Sequence, residues 1–543
     1  MEKLHKIIRL YHTVKCLKIS QILYRIWFLV YHPAVDLSSH PERRIVSGDW
    51  VFPVSKQTHL YRPWEFSFLN VTRDCSFPAD WNNAGVEKLW LYNLHYFDDL
   101  QCREAGGRQA LHTELLQKWI AENPPGLGNG WEPYPTSLRI VNLVKWALAG
   151  NDCPELLIQS MAIQARLLRK RLEYHLLGNH LLANGKAMVF AGLIFSGPEA
   201  ESWFEIGLRI LEKQVAEQIL KDGGHFERSP MYHAIILEDL LDLMNIMTVY
   251  GRSAPDGWTG RAEQMLNWLN VMCHPDGDIS LFNDAAFGIA AEPESLRDYA
   301  ARLGIEGSRR GRTVDLIHLT ESGYVRWQDQ DAYVIIDVGE IGPDYLPGHA
   351  HADTLSFEMS LFGQRFVVDS GTSCYGLSEE RLRQRGTLAH NSVSINQMDS
   401  SEVWGGFRVA RRARPFDLEI CEHESPMTVS CSHDGFSRLG SDVIHRRTWE
   451  LGSKRLSVKD TVTGGDRNAV ARFHFHPEVE LLMDAQGRGR AILPGGQVVA
   501  LQFSGGEASL LESTYHPQFG ISVTNGCLQI SMTSDQCETI FSW

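Results

Sequence analysis

A helical half followed by an all-β half is the architecture the sequence predicts. Two changes of texture predict it. From about residue 88 to 305, apolar residues recur at i, i+3, i+4 spacing, and from about 315 onward they alternate in short runs between Gly, Asp and Asn turns. A third observation points to a site. The stretch 348–369, GHAHADTLSFEMSLFGQRFVVD, crowds His349, His351, Asp353, Glu358 and Asp369 together.

Taken in order, residues 1–80 read as an opening helix and a Pro-punctuated connector. The first residues are basic and amphipathic, suited to a packed helix or, alternatively, to contact with a membrane surface. Their longest apolar run, 26–31, is short and follows Arg25, and there is no small-residue cleavage signature. No run approaches the roughly 18 apolar residues of a membrane span. A cytoplasmic location is therefore expected, with periplasm or secretion as the alternative.

Residues 81–310 form the helical domain. Segments such as ALHTELLQKWI, LRIVNLVKWALAG, PELLIQSMAIQARLLRKRLEYHLL and WFEIGLRILEKQVAEQIL carry the helical stripe between Gly- and Pro-bearing loops. Such paired helices make a bundle, a solenoid or an α/α toroid. A charged, Gly-rich link, EGSRRGRT, leads into residues 315–543, an antiparallel sandwich of short strands. Between two such domains a cleft is the natural ligand site.

Composition narrows the function. The chain has 543 residues, 43% hydrophobic and 22% charged, an ordinary soluble balance too large for one core. A net charge of −14 argues against a nucleic-acid partner but leaves room for a local basic groove. Ten scattered Cys without a CxxC pair signal neither a zinc ribbon nor a dithiol site. Fifteen Trp supply candidate stacking platforms for sugars, or core.

Five places carry candidate chemistry. Around Gly363 the pattern predicts a hairpin that returns Asp369 near His351, with His349 and His351 facing one way. Two His and a carboxylate there suit a divalent metal or proton handling, and His390 is a third candidate ligand. In GNGWEPYPTSLRIV, Arg139 near a helix start is a candidate to grip a substrate carboxylate, or else a surface or structural ion-pair Arg, and Trp131 and Tyr134 could flank a sugar or pack in the core. Asn179 and His180 interrupt an apolar helix, LEYHLLGNHLLANGKAMVF, and need hydrogen-bond partners or a functional surface. In DGGHFERSPMYHAIIL, Pro230 opens a helix that places Tyr232 and His233 at its N-terminus, where positive potential lowers a phenol's pKa. Finally, Tyr375, Arg381, Arg383, Arg385, Arg408, Arg411 and Arg412 suggest a basic belt.

The order of these motifs, above all GHAHADTLSFE, then VVDSGT and LAHNSV, resembles the heparinase II/III-like polysaccharide lyases, relatives of alginate and oligoalginate lyases. The resemblance implies an incomplete α/α toroid followed by an antiparallel β-sandwich. It implies an Asn-His pair at Asn179-His180, a catalytic Tyr at Tyr232 and a sandwich-domain His at His349. It also implies a structural divalent metal (Zn, Mn or Ca) on His351, Asp369 and His390, and places Tyr375 near a second catalytic Tyr. The implied partner is an anionic uronate polysaccharide or oligosaccharide, glycosaminoglycan first and alginate second.

Those residue types suit β-elimination from a 4-linked uronate. Asn179, with His180 or His349, would offset the carboxylate charge and so acidify the C5 proton. Tyr232 would take that proton or give one to the leaving oxygen, with His180 the base for the opposite epimer. Arg139, His233, Tyr375, Arg385, Trp131 and Tyr134 would hold the neighbouring sugars. Two other classes remain: a non-catalytic polysaccharide-binding protein of a bacterial polysaccharide pathway, and a glycoside hydrolase using Glu132, Glu227 or Asp284.

Overall fold

The computed structural model describes residues 2–307, 315–423, 426–439, 442–464, 468–484 and 488–543. The link EGSRRGRT, expected to join the two halves, lies almost wholly outside the described residues. The opening segment is two helices, α1 (Glu2–Val14) and α2 (Ile19–Val30), rather than one. A small antiparallel sheet follows, β1 (Leu60–Arg62), β2 (Glu65–Phe68) and β3 (Val71–Asp74), where the sequence suggests only a connector.

The helical half runs through α3 (Lys88–Tyr96), α4 (Gln109–Glu122), α5 (Pro133–Leu148), α6 (Glu155–Lys170), α7 (Gly178–Ile194), α8 (Pro198–Gln218), α9 (Pro230–Val249), α10 (Trp258–Met272) and α11 (Pro293–Arg302). It forms the incomplete α/α toroid. Its centre is α7, buried nearly all round, with α5, α8 and α9 against it. Close approach of α7 and α8 depends on glycine: a Cβ at Gly192 would lie 2.5 Å from the Phe204 backbone nitrogen.

One expected helix is broken. The apolar pattern from 154 to 195 suggests continuity, but α6 stops at Lys170 and α7 starts at Gly178. The cause is local: Leu177 and Gly178 both take positive φ, 68° and 55°, which no α-helix accommodates. Asn179 and His180 therefore stand in the first turn of α7 rather than in mid-helix, so they face a cavity and not a core. In α5, Glu132 precedes the helix and Pro133 begins it, so Thr136 and Ser137 lie inside it.

The named strands of the β half pair antiparallel, and the isolated bridge between Gly371 and His516 is parallel. A five-stranded meander, β4 (Asp315–Leu319), β5 (Tyr324–Gln328), β6 (Ala332–Asp337), β7 (Phe357–Leu361) and β8 (Gln364–Val367), packs with a four-stranded and an eight-stranded sheet. Strand His445–Gly452 alternates buried and half-buried residues strictly, the signature of a sheet facing a core on one side. The expected hairpin about Gly363 is present as β7 and β8, pairing Leu361 with Gln364 and Met359 with Val367.

The two halves share an apolar seam. Trp268, Val271 and Met272 of α10 pack against Leu319, Tyr324, Tyr333 and Ile335 of the meander. Trp268 Nε1 donates to Ser322 Oγ at 2.8 Å, and the Tyr333 hydroxyl to the Val271 carbonyl at 2.7 Å. This seam fixes the sandwich loops over the open face of the toroid. No described helix is long and apolar enough to cross a membrane.

Candidate active site

A cavity of about 990 Å³ opens between the halves, lined from the toroid by Tyr134, Asn179, His180 and Tyr232, and from the sandwich by His349 and Tyr375. Each reaches it from a helix start or a loop. Ser229 caps α9, its Oγ accepting from the Tyr232 N–H at 3.2 Å, which sets Tyr232 in the first turn. The same Oγ donates to the Asp284 carbonyl at 2.6 Å, tying α9 to the next loop.

Asp284 is the organising carboxylate. It accepts from His349 Nδ1 at 2.9 Å and His351 Nε2 at 2.8 Å, and receives the Arg381 guanidinium on both oxygens. Though burial alone would raise its pKa, Arg381 and the two histidines hold it well below the usual carboxylate range. His349 and His351 do face one way, as expected, but from a loop before β7 rather than from a strand. Their common partner, Asp284, aligns them.

Around His349 the candidate groups converge. Its ring lies against Tyr232, centroids 3.9 Å apart, and its Nε2 is 3.6 Å from Glu227 Oε2. Asn179 Nδ2 points at the same Glu227 carboxylate, at 3.3 and 3.4 Å. Burial raises the pKa of Glu227, offset in part by His349 and Asn179. The hydroxyls of Tyr232 and Tyr375 are 3.1 Å apart. His180 stacks on Tyr134 at 4.5 Å and pairs with Glu173 at 3.1 Å. Burial opposes the charge on His180, but Glu173 wins and raises its pKa. That shift favours the charged form of His180, which suits a carboxylate partner.

The Tyr232 phenol departs from expectation. The helix start does not lower its pKa; burial first, then Tyr375 and Asp284, push it well above the usual value. Tyr375 is raised in the same way, by burial and Asp284. Low-dielectric surroundings and a nearby carboxylate outweigh the partial charge of one helix end.

Four expected substrate contacts are core instead. Trp131 is 2% exposed, donates to the Asn123 carbonyl and packs on Trp119. Arg139 is fully buried. It grips no carboxylate but Gln164 Oε1 and the carbonyls of His95 and Gly130, with its guanidinium 4.0 Å over Trp119. His233 lies on the far side of α9, stacked on Trp268 and bonded to the Met265 carbonyl. Arg385 is buried among the carbonyls of Ala350, Gly405 and Gly406. The basic belt dissolves likewise: Arg411 pairs with Glu402, Arg412 with Asp344 and Arg383 with Glu380, and Arg408 alone of the group lines the cavity. An Arg139→Ala variant is expected to lose at least about 1–3 kcal/mol of stability, because it orphans buried acceptors. Denaturant titration measures that loss, and affinity for a polysaccharide ligand should not change.

The residues the motifs did not single out for these roles are the carboxylates Glu173, Glu227 and Asp284, with Arg381. Glu227 and Asp284 entered only as candidates for a hydrolase pair. In GHFERSP and FNDAAFG they carry no spacing signal, and only the fold brings them to His180, Asn179 and His349.

The His351, Asp369 and His390 group sits just below. His390 Nδ1 bonds Asp369 Oδ2 at 2.7 Å, and the two imidazole rings are 5.2 Å apart. The other nitrogens, His351 Nδ1 and His390 Nε2, are buried without partners, as is Asp353 Oδ2. One nitrogen pinned by a carboxylate with the other free is how metal-ligating histidines are arranged, so the donor chemistry fits a divalent ion. Among the described residues, the group whose donor atoms all fall within 4.8 Å of one another is instead Asp99, Cys102 and His112. There the Asp99 oxygens are already taken by Arg108, His112 and the backbone of His59 and Leu60.

The fold is a helical toroid closed by an antiparallel sandwich, with tyrosines, histidines and an asparagine lining the cavity in the seam. Family models agree: "Heparinase II/III N-terminus" matches residues 115–301 and "Heparinase II/III-like, C-terminal" matches 311–543. The chain belongs to the heparinase II/III-like family. It is 25% identical over 319 residues to a heparin-sulfate lyase of Bacteroides stercoris, covering 54% of this chain and 45% of that one. The chain thus spans about half the length of that relative. It is 24% identical over 437 residues to FtsZ-localized protein C of Caulobacter vibrioides, covering 75% of this chain and 73% of that one. The solved structure of heparinase III superposes with a TM-score of 0.68 at 19% identity, covering 88% of this chain and 79% of that one, a likeness of fold.

Proposed function

We propose that the protein is a polysaccharide lyase that cleaves a 4-linked uronate-containing chain, of glycosaminoglycan type, by β-elimination. The observation that carries this is the convergence of Asn179, Glu227 and His349 beside the paired hydroxyls of Tyr232 and Tyr375. The heparin-sulfate lyase relatives support the same substrate class. Alginate is the second candidate.

The uronate carboxylate would sit against Asn179 and His349, the groups that face Glu227. Burial pushes the Glu227 carboxyl up, which weakens its opposition to a second carboxylate. Neutralising that charge stabilises the enolate-like intermediate as an oxyanion hole does. In the reacting form one hydroxyl of the tyrosine pair has lost its proton to solvent; that phenolate takes the C5 proton, the C5–H electrons form the C4–C5 double bond, and O4 leaves with the proton of the other phenol. Proton exchange between the Tyr232 and Tyr375 hydroxyls then restores the phenolate, and burial, which raises both phenols, makes that form the minor one at neutral pH. Water takes no part, so Glu227 and Asp284, both tied to His349, need not act as a hydrolytic pair.

Product masses test this. Elimination gives two fragments whose masses sum to that of the intact chain; fragments whose sum is heavier by one water would establish hydrolysis and refute the proposal. The second reading is a non-catalytic glycan binder on the same scaffold. That reading predicts binding of the same polymers without new ends.

The proposed metal on His351, Asp369 and His390, with the free oxygen of Asp353 nearby, is structural. It would fix the loop presenting His349 and supply no electron or proton. A divalent ion at 100 times its dissociation constant should add about 2.7 kcal/mol of stability. Unchanged melting in chelator and in excess Zn, Mn or Ca would contradict it.

A further inference from the structure

The N-terminal helices leave an unusual surface. On α2, Gln21 turns inward to the carbonyls of Leu176 and Tyr345, while Tyr24 stacks on Tyr174 and Phe28 packs on His175. The opposite face, Ile19, Leu23, Ile26 and Val30, is 75%, 59%, 57% and 74% exposed. On α1, Arg9 and Thr13 face the sandwich through Glu402 and Trp404, leaving Ile7 and Tyr11 64% and 62% exposed. Isolated exposed apolar residues need no explanation, but two adjoining helices with apolar outer stripes do.

Charge decides between occupants. Residues 1–31 hold six Lys and Arg against one Glu, a net of +5 in a chain whose total is −14. Arg9 and Lys18 pair with Glu402 and Glu217 of the body, while Lys6, Lys15 and Arg25 are exposed. A second copy would bring like charge against like. A bilayer of anionic lipid offers both an apolar layer for the stripes and negative headgroups for the lysines. Trp27, half exposed beside the apolar stripe, is the kind of side chain that settles at the headgroup level.

We infer that α1 and α2 form a docking surface that lays the protein on an anionic membrane face without spanning it. Leu10, Val14, Leu17 and Arg25 of the same helices border the cavity, so docking would hold the cleft mouth close to the lipid.

Flotation of the full-length protein tests this with vesicles of phosphatidylcholine alone and of phosphatidylcholine mixed with phosphatidylglycerol. Binding to the mixed vesicles should be at least about tenfold tighter than to the neutral ones, and should fall as salt rises. The paired change Leu23→Glu and Ile26→Glu should abolish it, and Lys6→Glu with Lys15→Glu should weaken it at least about tenfold. All four positions are exposed, so unchanged melting curves confirm that the variants fold. No flotation with the mixed vesicles, equal binding to neutral ones, or binding that survives Leu23→Glu with Ile26→Glu would overturn the inference. So would a concentration-dependent dimer abolished by that pair in a protein that ignores vesicles, since a second copy would then be the occupant.

Discussion

Tyr232→Phe should lower kcat/KM by about 10²–10⁴-fold, the range for a positioned acid or base, and leave the fold intact. The ring stays and keeps its contact with His349; only the hydroxyl bonded to Tyr375 goes. The effect should fall on kcat rather than KM, because that oxygen acts on the C5 proton and the leaving O4, not on the carboxylate. The pH dependence gives a second readout. Burial raises both phenols, so the deprotonated base is scarce at neutral pH and the wild-type rate should climb on the alkaline side. In Tyr232→Phe that climb should weaken or shift. A variant with wild-type kcat and the same alkaline limb would remove Tyr232 from the chemistry and leave it a packing residue.

Asp284→Ala should cost about 3–5 kcal/mol of stability, the range for breaking a buried ion pair by removing one partner. Arg381, fully buried, would lose its carboxylate and keep only its bond to the Gly406 carbonyl. His349 and His351 would lose the acceptor that aligns them, so activity should fall with stability. The charge is also linked to pH. The folded-state pKa of Asp284 is depressed, so its contribution is full above the unfolded carboxylate value near 3.9 and disappears as pH falls through the lower folded value. Acid unfolding of the wild type should therefore be steeper at low pH than that of Asp284→Ala. Asp284→Asn, which keeps an acceptor without the charge, should lie between the two in stability.

Much of the cavity lining is legible in the sequence because its candidate groups sit in short dense motifs. Asn179 and His180 follow one another, Tyr232 follows a capped helix start, and His349 and His351 share one loop. The toroid and the sandwich were legible for a similar reason: their periods differ over long stretches. What failed was the reading of isolated polar residues. Arg139, Arg385 and His233 look like binding groups in sequence because burial is invisible there. The fold gives each of them carbonyl acceptors and an enclosed position instead. The break between α6 and α7 was also hidden, since a positive φ at Leu177 leaves no mark in an apolar run. Glu173, Glu227 and Asp284 were beyond reach for the opposite reason. Their partners lie far away along the chain, and only the seam between the domains joins them.

The most direct measurement is ultraviolet absorbance of the purified protein mixed in turn with hyaluronan, chondroitin, heparan sulfate, heparin and alginate. A conjugated 4,5-unsaturated uronate end absorbs where the intact polymers do not. The account predicts a steady rise with at least one glycosaminoglycan, absent in Tyr232→Phe. A flat trace with every glycosaminoglycan, from folded protein that binds them, would contradict it and establish a glycan-binding protein on a lyase scaffold.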